Sequence, residues 1–423
     1  MRKLASMKQG ASDMDRFLLA GRRCGGHPRA RRAWTLTDPG FPVVSSRRDW
    51  PRSATMQSNF CSGKPRLISD RALELKSTTP HAPLRLGILG AARIAPFAVI
   101  RHARNLDGVE VVAVAEEYQS AERLERYARK HRIPQTYRSF DALLASPDID
   151  AVYVPLPISM HADWCVKAIQ AGKHVLCEKP FAANASEAER VLRAAEGTGL
   201  VVAEAMPFRY HPLVDRVRQV IRDGEIGEIE RIDASFSAYL PFNDFRFDYV
   251  TGGGGTIDMG CYPIGFVRAV TEQEPIVIEA EAGLHGALID RWMRARMRLE
   301  SGGEVRLFVG MRCIKLLSVS MQIKGNRGSI GILNFIKPEV YHRLKIRTAA
   351  GVRNERVPGG STYKAQLEAF AEAIRTGTQP VTTISDAVKN ARVIDAVYLA
   401  AGLPVRGDEA VLRGLQHQEG MQG

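Results

Sequence analysis

A chain of 423 residues with 45% hydrophobic and 25% charged residues can hold two domains with cores of their own, and it has no apolar run of membrane-spanning length and no evident secretory signal. The net charge of +13 does not argue for a nucleic-acid partner, because residues 1–80 hold 16 Lys+Arg against 6 Asp+Glu, which leaves residues 81–423 nearly balanced. Six cysteines (Cys24, Cys61, Cys165, Cys177, Cys261, Cys313) without close C-x-x-C pairing suit a reducing cytoplasm and argue against a structural zinc site, so no metal is expected.

Residues 1–80 form a basic leader punctuated by Gly21-Arg22-Arg23, Arg29-Ala30-Arg31-Arg32 and Ser46-Arg47-Arg48. It lacks a sustained 3.6 or 2.0 period and is expected to be disordered. Three explanations stay open: a targeting peptide, a nucleic-acid-binding arm, or sequence upstream of a later start at Met56. Asp13, Asp15 and Asp38 count against an organellar transit peptide.

From Leu84 to Leu89 a short apolar strand runs into Gly90-Ala91-Ala92-Arg93-Ile94-Ala95 and then a helical pattern. Small residues at such a turn let the backbone approach a pyrophosphate, and the helix N-terminus offers it free N–H groups. Alanine stands where the dinucleotide fingerprint has its second glycine, so a plain tight turn is the competing reading. The next strand, Val109 to Ala115, ends at Glu116-Glu117. A carboxylate there either accepts hydrogen bonds from an adenosine ribose, which favours NAD over NADP, or is an ordinary helix-start acid. Strand and helix then alternate through Ser120 to Lys130, Thr136, Phe140 to Ala145, Ala151 to Val154, a helix centred on Ala162, Cys165 and Ile169, His174 to Cys177, Ala185 to Glu196 and Leu200 to Ala205. Six strands with crossover helices make a doubly wound parallel sheet over residues 81–205. In such sheets ligands sit at the carboxyl ends of the strands, where Pro155 to His161 and Glu178-Lys179-Pro180 both fall. Lys179 is either aimed into that cleft or a solvated surface lysine.

Past Ala205 one helix (Pro212 to Arg222) leads into period-two runs at Glu228 to Tyr239, Ile276 to Ala282, Met293 to Leu299, Glu304 to Val309, Leu317 to Ile323 and Leu344 to Thr348. They predict an α+β domain over 206–405 with a large, mainly antiparallel sheet, closed by helices at Tyr363 to Arg375 and Ile384 to Ala401. Residues 406–423 read as a polar tail. Within the second domain Gly252-Gly253-Gly254-Gly255 opens a helical segment on which Asp258 and Tyr262 share a face. Read alone, that segment is a flexible linker before a core helix.

Taken together, the motifs Gly87-Ile88-Leu89-Gly90-Ala91-Ala92-Arg93-Ile94-Ala95, Val154-Pro155-Leu156-Pro157, His161, Glu178-Lys179-Pro180, Phe208-Arg209-Tyr210-His211-Pro212 and Gly253 to Tyr262 resemble the glucose-fructose oxidoreductase, inositol dehydrogenase and rhizopine catabolism (Gfo/Idh/MocA) family over residues 84 to 405. Tyr262 stands where the inositol dehydrogenase branch has histidine. This points to the branch holding dihydrodiol dehydrogenase, D-xylose dehydrogenase and sugar 3-ketoreductases. Two departures are Ile158, where members commonly carry asparagine, and Glu116-Glu117, in place of the Ser-Arg pair of NADP-using members.

The resemblance implies a Rossmann domain, NAD or NADP with NAD favoured, and reversible hydride transfer at a CH–OH or C=O group of a sugar, cyclitol, dihydrodiol or sugar nucleotide. Tyr262 would be the general acid/base. Free phenol has a pKa near 10, and an adjacent Lys179 ammonium favours its ionised form. Asp258 would orient Lys179 or the substrate. Gly87, Gly90, Ala92, Arg93, Ile94, Glu116, Pro155, Leu156, His161, Glu178 and Lys179 would contact the cofactor, and Arg209, Tyr210, Asp244 and Arg246 would wall the substrate. His211 is read as structural. A homodimer or homotetramer is expected, with no nucleic acid and no membrane as partner. The alternative function is a dinucleotide-binding sensor or scaffold without chemistry.

Overall fold

The computed structural model describes residues 82–313 and 317–420, so the leader reading lies outside the described residues. Strands β1 (Leu84–Leu89), β2 (Val109–Ala115), β3 (Gln135–Tyr137), β4 (Ala151–Val154), β5 (His174–Glu178) and β6 (Val202–Ala205) form a parallel sheet in the order β3-β2-β1-β4-β5-β6. Chain order reverses between β1 and β4, which opens a crevice at the strand ends there. The apolar runs are continuous because both faces are covered. Phe140, Leu143, Trp164 and Ala188 pack on one face, and Ala98, Val99, Leu124 and Phe370 on the other. Gly87, expected among the cofactor contacts, lies inside β1 instead. A Cβ there would come within 2.8 Å of Leu143, so its small size serves sheet packing.

The second sheet joins β7 (Ile229–Ala238), β8 (Ile276–His285), β9 (Ile289–Arg298), β10 (Glu304–Met311), β11 (Leu317–Gly325), β12 (Gly328–Leu333), β13 (Arg343–Thr348) and β14 (Gly351–Glu355) in the order β14-β13-β12-β11-β7-β10-β9-β8. Every pairing is antiparallel except β7 with β10. Ile232, Phe236, Met293, Val305, Val309 and Ile330 point inward to a common core with Leu213, Val217, Phe266 and Val397 of the covering helices. Alternate residues such as Asp233, Arg296 and Arg306 line the opposite face. β12 and β14 escape a periodicity reading: glycines dilute the first, and the second is a polar edge with Val352 exposed.

The two late helices depart from expectation. The apolar stripe of Thr362–Thr376 (Leu367, Phe370, Ala373) packs on the parallel sheet, not on the second one. Ile384–Ala400 spans both cores, with Ala387 and Val388 on the first and Val393, Ile394 and Val397 on the second. Such a stripe says that a helix is amphipathic, and does not name the sheet it covers.

The segment read as a polar tail begins with a fully buried arginine. Arg406 donates from Nε to the carbonyl of Gly253 (2.6 Å) and from Nη2 to Asp290 Oδ1 (2.8 Å). Asp290 Oδ2 accepts from the backbone N–H and the hydroxyl of Thr256, both at 2.6 Å. Tyr398 donates to Asp290 and accepts from Ile257 N–H. A helix, Glu409–Gly420, follows, with Val411 and Leu412 against the core. The glycine run and the start of the Asp258 helix are thereby fixed from the C-terminal side.

Candidate active site

The carboxyl ends of β1, β2, β4 and β5 open into one cavity of about 350 Å³, closed by Phe245, Thr251, Ile336, Lys337, Thr362 and Tyr363 from the rest of the chain. Gly90, Ala92, Arg93, Ile94, Glu116, Pro155, Leu156, His161, Glu178 and Lys179 line it from the parallel sheet, and Arg246, Asp258 and Tyr262 from the second domain. The closing residues carry no local motif and are brought there by topology alone.

At the first turn Gly90 has φ +99°, a conformation that favours glycine, and a Cβ would meet Leu156 at 3.0 Å. Glu116 Oε2 accepts from Ala91 N–H (3.1 Å) and Gln119 (2.6 Å), and Oε1 from Tyr118 N–H (2.9 Å). The carboxylate joins the turns after β1 and β2, and Oε1 has a lone pair beyond the one that Tyr118 N–H uses. Glu117 turns away to accept from Phe140 N–H. This glycine turn, an acid at the second strand end and the following helix fit an adenine dinucleotide.

The turn carrying Lys179 is held by side chains. Glu178 accepts from Lys179 N–H (3.2 Å) and from Tyr153 (2.6 Å), His161 Nδ1 meets Pro180 O (2.9 Å), and Glu204 accepts from Phe181 N–H (3.0 Å). His161 Nε2 lies 2.8 Å from Leu156 O, so one ring spans the turns after β4 and β5. Glu204, a lone acid in the apolar strand Val202–Ala205, was not singled out from sequence; burial, and then the nearby Asp386, push its pKa up to about 7.

Lys179 Nζ donates to the carbonyl and to Oδ1 of Asp258, each at 2.9 Å, and lies 4.8 Å from the centre of the Tyr262 ring. Arg246 Nε donates to the other oxygen, Oδ2, at 2.5 Å. Burial opposes the charge on Asp258, but Arg246 and Lys179 hold its carboxyl well below the usual range. Burial likewise opposes the Lys179 ammonium, and Asp258 outweighs it, so its pKa ends above the ordinary lysine value. Tyr262 is wedged between Phe208 and Phe236. Gly254 (φ +143°) allows the approach, since a Cβ there would sit 2.6 Å from Asp290. Ile158 packs on Gly252 and seals the turn after β4 against the glycine run.

Other expected wall residues lie elsewhere. Arg209 pairs with Asp386 (3.0 Å) and the Tyr210 hydroxyl with Thr382 (2.8 Å), both outside the cavity lining. Asp244 is buried against Arg246 (3.0 Å) and does not face the cavity. Arg246 lines it, with Nε and Nη1 both engaged by carboxylates. His211 Nδ1 accepts from Leu213 N–H and caps the helix Pro212–Arg222, with burial lowering its pKa to about 4.

A dinucleotide-binding sheet whose crevice gathers a lysine, a carboxylate and a phenol defines an oxidoreductase that works with a nicotinamide dinucleotide. Residues 84–206 match the oxidoreductase family with an NAD-binding Rossmann fold, and residues 214–331 the GFO/IDH/MocA C-terminal domain. The chain belongs to the Gfo/Idh/MocA family and takes NAD or NADP. An uncharacterized oxidoreductase of Rhizobium meliloti is 33% identical over 327 residues, 75% of this chain and 97% of its own. D-xylose 1-dehydrogenase (NADP(+)) 2 of Haloferax volcanii is 31% identical, with 75% and 97% covered. A 3-ketoreductase from Actinomadura kijaniata, solved with NADP and TDP-benzene, superimposes with a TM-score of 0.69 at 28% identity, covering 75% of this chain and 98% of its own.

Glu204 gives a stability test. Its folded pKa of about 7 lies above the ordinary 4.5, so its contribution is complete below about pH 4.5 and is lost as pH rises through about 7. From pH 5 to 8 the buried acids should lower stability in urea melts against the opposite trend of His102, His161, His174 and His211, whose pKa values burial lowers, and Glu204→Gln should remove on the order of 2–3 kcal/mol of that lowering. Glu187 and Asp395, also raised to about 7 by burial, should keep the remainder. A difference between the two proteins that does not vary with pH would contradict this.

Proposed function

We propose that this chain catalyses reversible oxidation of a secondary alcohol on a carbohydrate-like substrate, with residues 81–205 holding the dinucleotide and 206–405 shaping the substrate side. The observation that carries the reading is the meeting of Lys179, Asp258 and Tyr262 in one buried cleft between the two sheets. NAD or NADP bound there supplies the hydride acceptor or donor at nicotinamide C4. Tyr262 takes the hydroxyl proton in oxidation and returns it in reduction. Lys179 steadies the phenolate and the developing alkoxide, and Asp258 aims Lys179. The names of the relatives support a sugar, sugar-nucleotide or dihydrodiol substrate, and the family resemblance adds cyclitols. Turnover with aldoses, inositols, dihydrodiols and keto-sugar nucleotides would identify it.

Tyr262→Phe should lower kcat by roughly 10² to 10⁴ with little change in dinucleotide affinity. Lys179→Ala should be at least as harmful, and the double variant should lose far less than the product, because the pair acts as one unit. The oxidation rate should fall at low pH, where the phenol keeps its proton. Near-normal turnover in Tyr262→Phe would reject this assignment.

Glu116 supports a preference for NAD, since a 2′-phosphate beside it would meet like charge. We expect kcat/KM to favour NAD by about tenfold or more, worth roughly 1.4 kcal/mol, and Glu116→Ser to narrow the gap. A wild-type preference for NADP would overturn this role.

The outer face of the second sheet supports a homo-oligomer. Glu279, Glu281 and Glu304 alternate there with Arg294, Arg296 and Arg306 around a concavity of about 940 Å³. Mixed charge of this kind is self-complementary about a two-fold axis. Light scattering at micromolar concentration should report a dimer or tetramer, and a stable monomer would refute it.

A further inference from the structure

Asp258 has two carboxylate oxygens, and the structure gives each to a different cation. Oδ1 takes Lys179 Nζ at 2.9 Å and Oδ2 takes Arg246 Nε at 2.5 Å. Arg246 is in turn braced by Asp244, whose Oδ1 accepts from its backbone N–H and from Nη1, both at 3.0 Å, and its guanidinium lies over the Phe245 ring at 4.5 Å. All four charged side chains are buried or nearly so, with exposures of 9% for Lys179, 5% for Asp258 and Arg246, and 0% for Asp244. The charges alternate along one line, Asp244, Arg246, Asp258, Lys179, and the line ends beneath the ring of Tyr262.

An aspartate held by Lys179 alone would cancel most of the ammonium field. Shared with a second cation at shorter range, the same aspartate leaves Lys179 with surplus positive charge on the side that faces Tyr262. We propose that Arg246 is a positioning residue: by holding half of Asp258 it sets how much positive charge Lys179 presents to Tyr262 and to the reacting oxygen. The inference rests on the reading of Tyr262 as the proton carrier. It places Arg246 behind the chemistry, acting through Asp258.

The remaining groups around Lys179 leave this balance to Asp258 and Arg246. Glu178 and Glu204 approach from the parallel sheet and are raised in pKa by burial, but Glu178 spends its oxygens on Tyr153 and the Lys179 backbone N–H and Glu204 accepts from Phe181 N–H, contacts that leave the Lys179 ammonium to Asp258. His161, from the helix after β4, is pushed toward its neutral form by burial. Cys261, next to Tyr262 on the helix from the second domain, has its thiol pushed up by burial and stays protonated. Asp258 is thus the carboxylate that the Lys179 ammonium meets among the described residues, and Arg246 is the group competing for it.

The test compares kcat against pH in the oxidation direction for wild type, Arg246→Gln, Arg246→Lys, Asp244→Asn and Tyr262→Phe, using the substrate that gives turnover in the panel above, together with dinucleotide Kd. Arg246→Gln should lower kcat near neutrality by about tenfold or more and move the acidic limb up by about one pH unit, so that raising the pH recovers most of the loss. Arg246→Lys should return the limb most of the way. Asp244→Asn, which leaves the full Arg246 charge on Asp258, should move the limb in the opposite direction, and this arm reads the proposal even if Arg246→Gln does not fold. Dinucleotide Kd should stay within about twofold, since Arg246 acts through Asp258 on the proton carrier. A uniform loss at every pH with an unmoved limb would assign Arg246 a structural role and overturn the proposal, as would Asp244→Asn and Arg246→Gln moving the limb the same way. If Tyr262→Phe keeps the wild-type limb, the underlying reading of Tyr262 has failed. If it abolishes the limb while the Arg246 variants leave theirs in place, only the present inference has failed.

Discussion

A carboxylate shared between two cations in a water-poor cleft is an unstable arrangement unless its geometry is held to tenths of an ångström. Desolvating each ion costs several kcal/mol, and only close, well-directed pairing offsets that cost. Asp258 meets the condition through contacts of 2.9 Å to Lys179 and 2.5 Å to Arg246. Lys179 comes from the end of β5, while Asp258 and Arg246 come from chain about 70 to 80 residues further on. The fold therefore has to deliver a strand end and a helix start to one point. The buried Arg406–Asp290–Tyr398 cluster accounts for the helix: it ties the carbonyl of Gly253 and the N–H groups of Thr256 and Ile257 to three separate elements. Loosening that cluster would let Asp258 drift, and an ion pair that loses alignment inside a protein turns from favourable to unfavourable.

Much of this was legible in the sequence, for identifiable reasons. Six apolar runs separated by helical spacing are what a parallel sheet covered on both faces requires, and the glycine turn after β1 signals strand-to-helix reversal by its small residues. The Lys179-Pro180 step and the glycine-opened segment carrying Asp258 and Tyr262 are local features that a sequence shows, and the family resemblance is what joins them into one candidate site. What failed was direction. Arg209 and Tyr210 follow a strand end that borders the cleft, yet the short helical turn Pro207–Tyr210 points their side chains at Asp386 and Thr382 on the late helix and the segment before it. Adjacency in sequence fixes where a backbone is and leaves the side chain's direction to tertiary packing.

The polar-tail reading misses Arg406 for a related reason. A charged, glycine-containing stretch looks solvated because most such stretches are, and the exception depends on a partner far away in sequence. Arg406 finds Asp290, 116 positions earlier, and no local pattern announces that pairing. Glu204 escaped notice in the same way: a single acid within Val202–Ala205 reads as a blemish in a strand until the chain places it under Phe181 N–H. Buried polar groups with long-range partners are what periodicity cannot see, and they are concentrated around this site.

The cross-ties at the strand ends brace the floor of the cleft. Glu116 links the turns after β1 and β2, and His161 links the turns after β4 and β5. Both links use side chains whose polar atoms meet backbone groups, so each turn is fixed by its neighbour as well as by its own strand. A floor braced in this way holds its donors and acceptors in place before any ligand arrives, and preorganised groups stabilise charge in a transition state without spending energy on reorientation. The opposite wall is made differently: Phe245, Ile336 and Lys337 come from the connections after β7 and β12, which vary more freely than the elements they join, and Thr362 and Tyr363 from the first turn of the helix Thr362–Thr376. A floor braced by side chains and a wall built largely from connections therefore differ in how much substitution each can absorb.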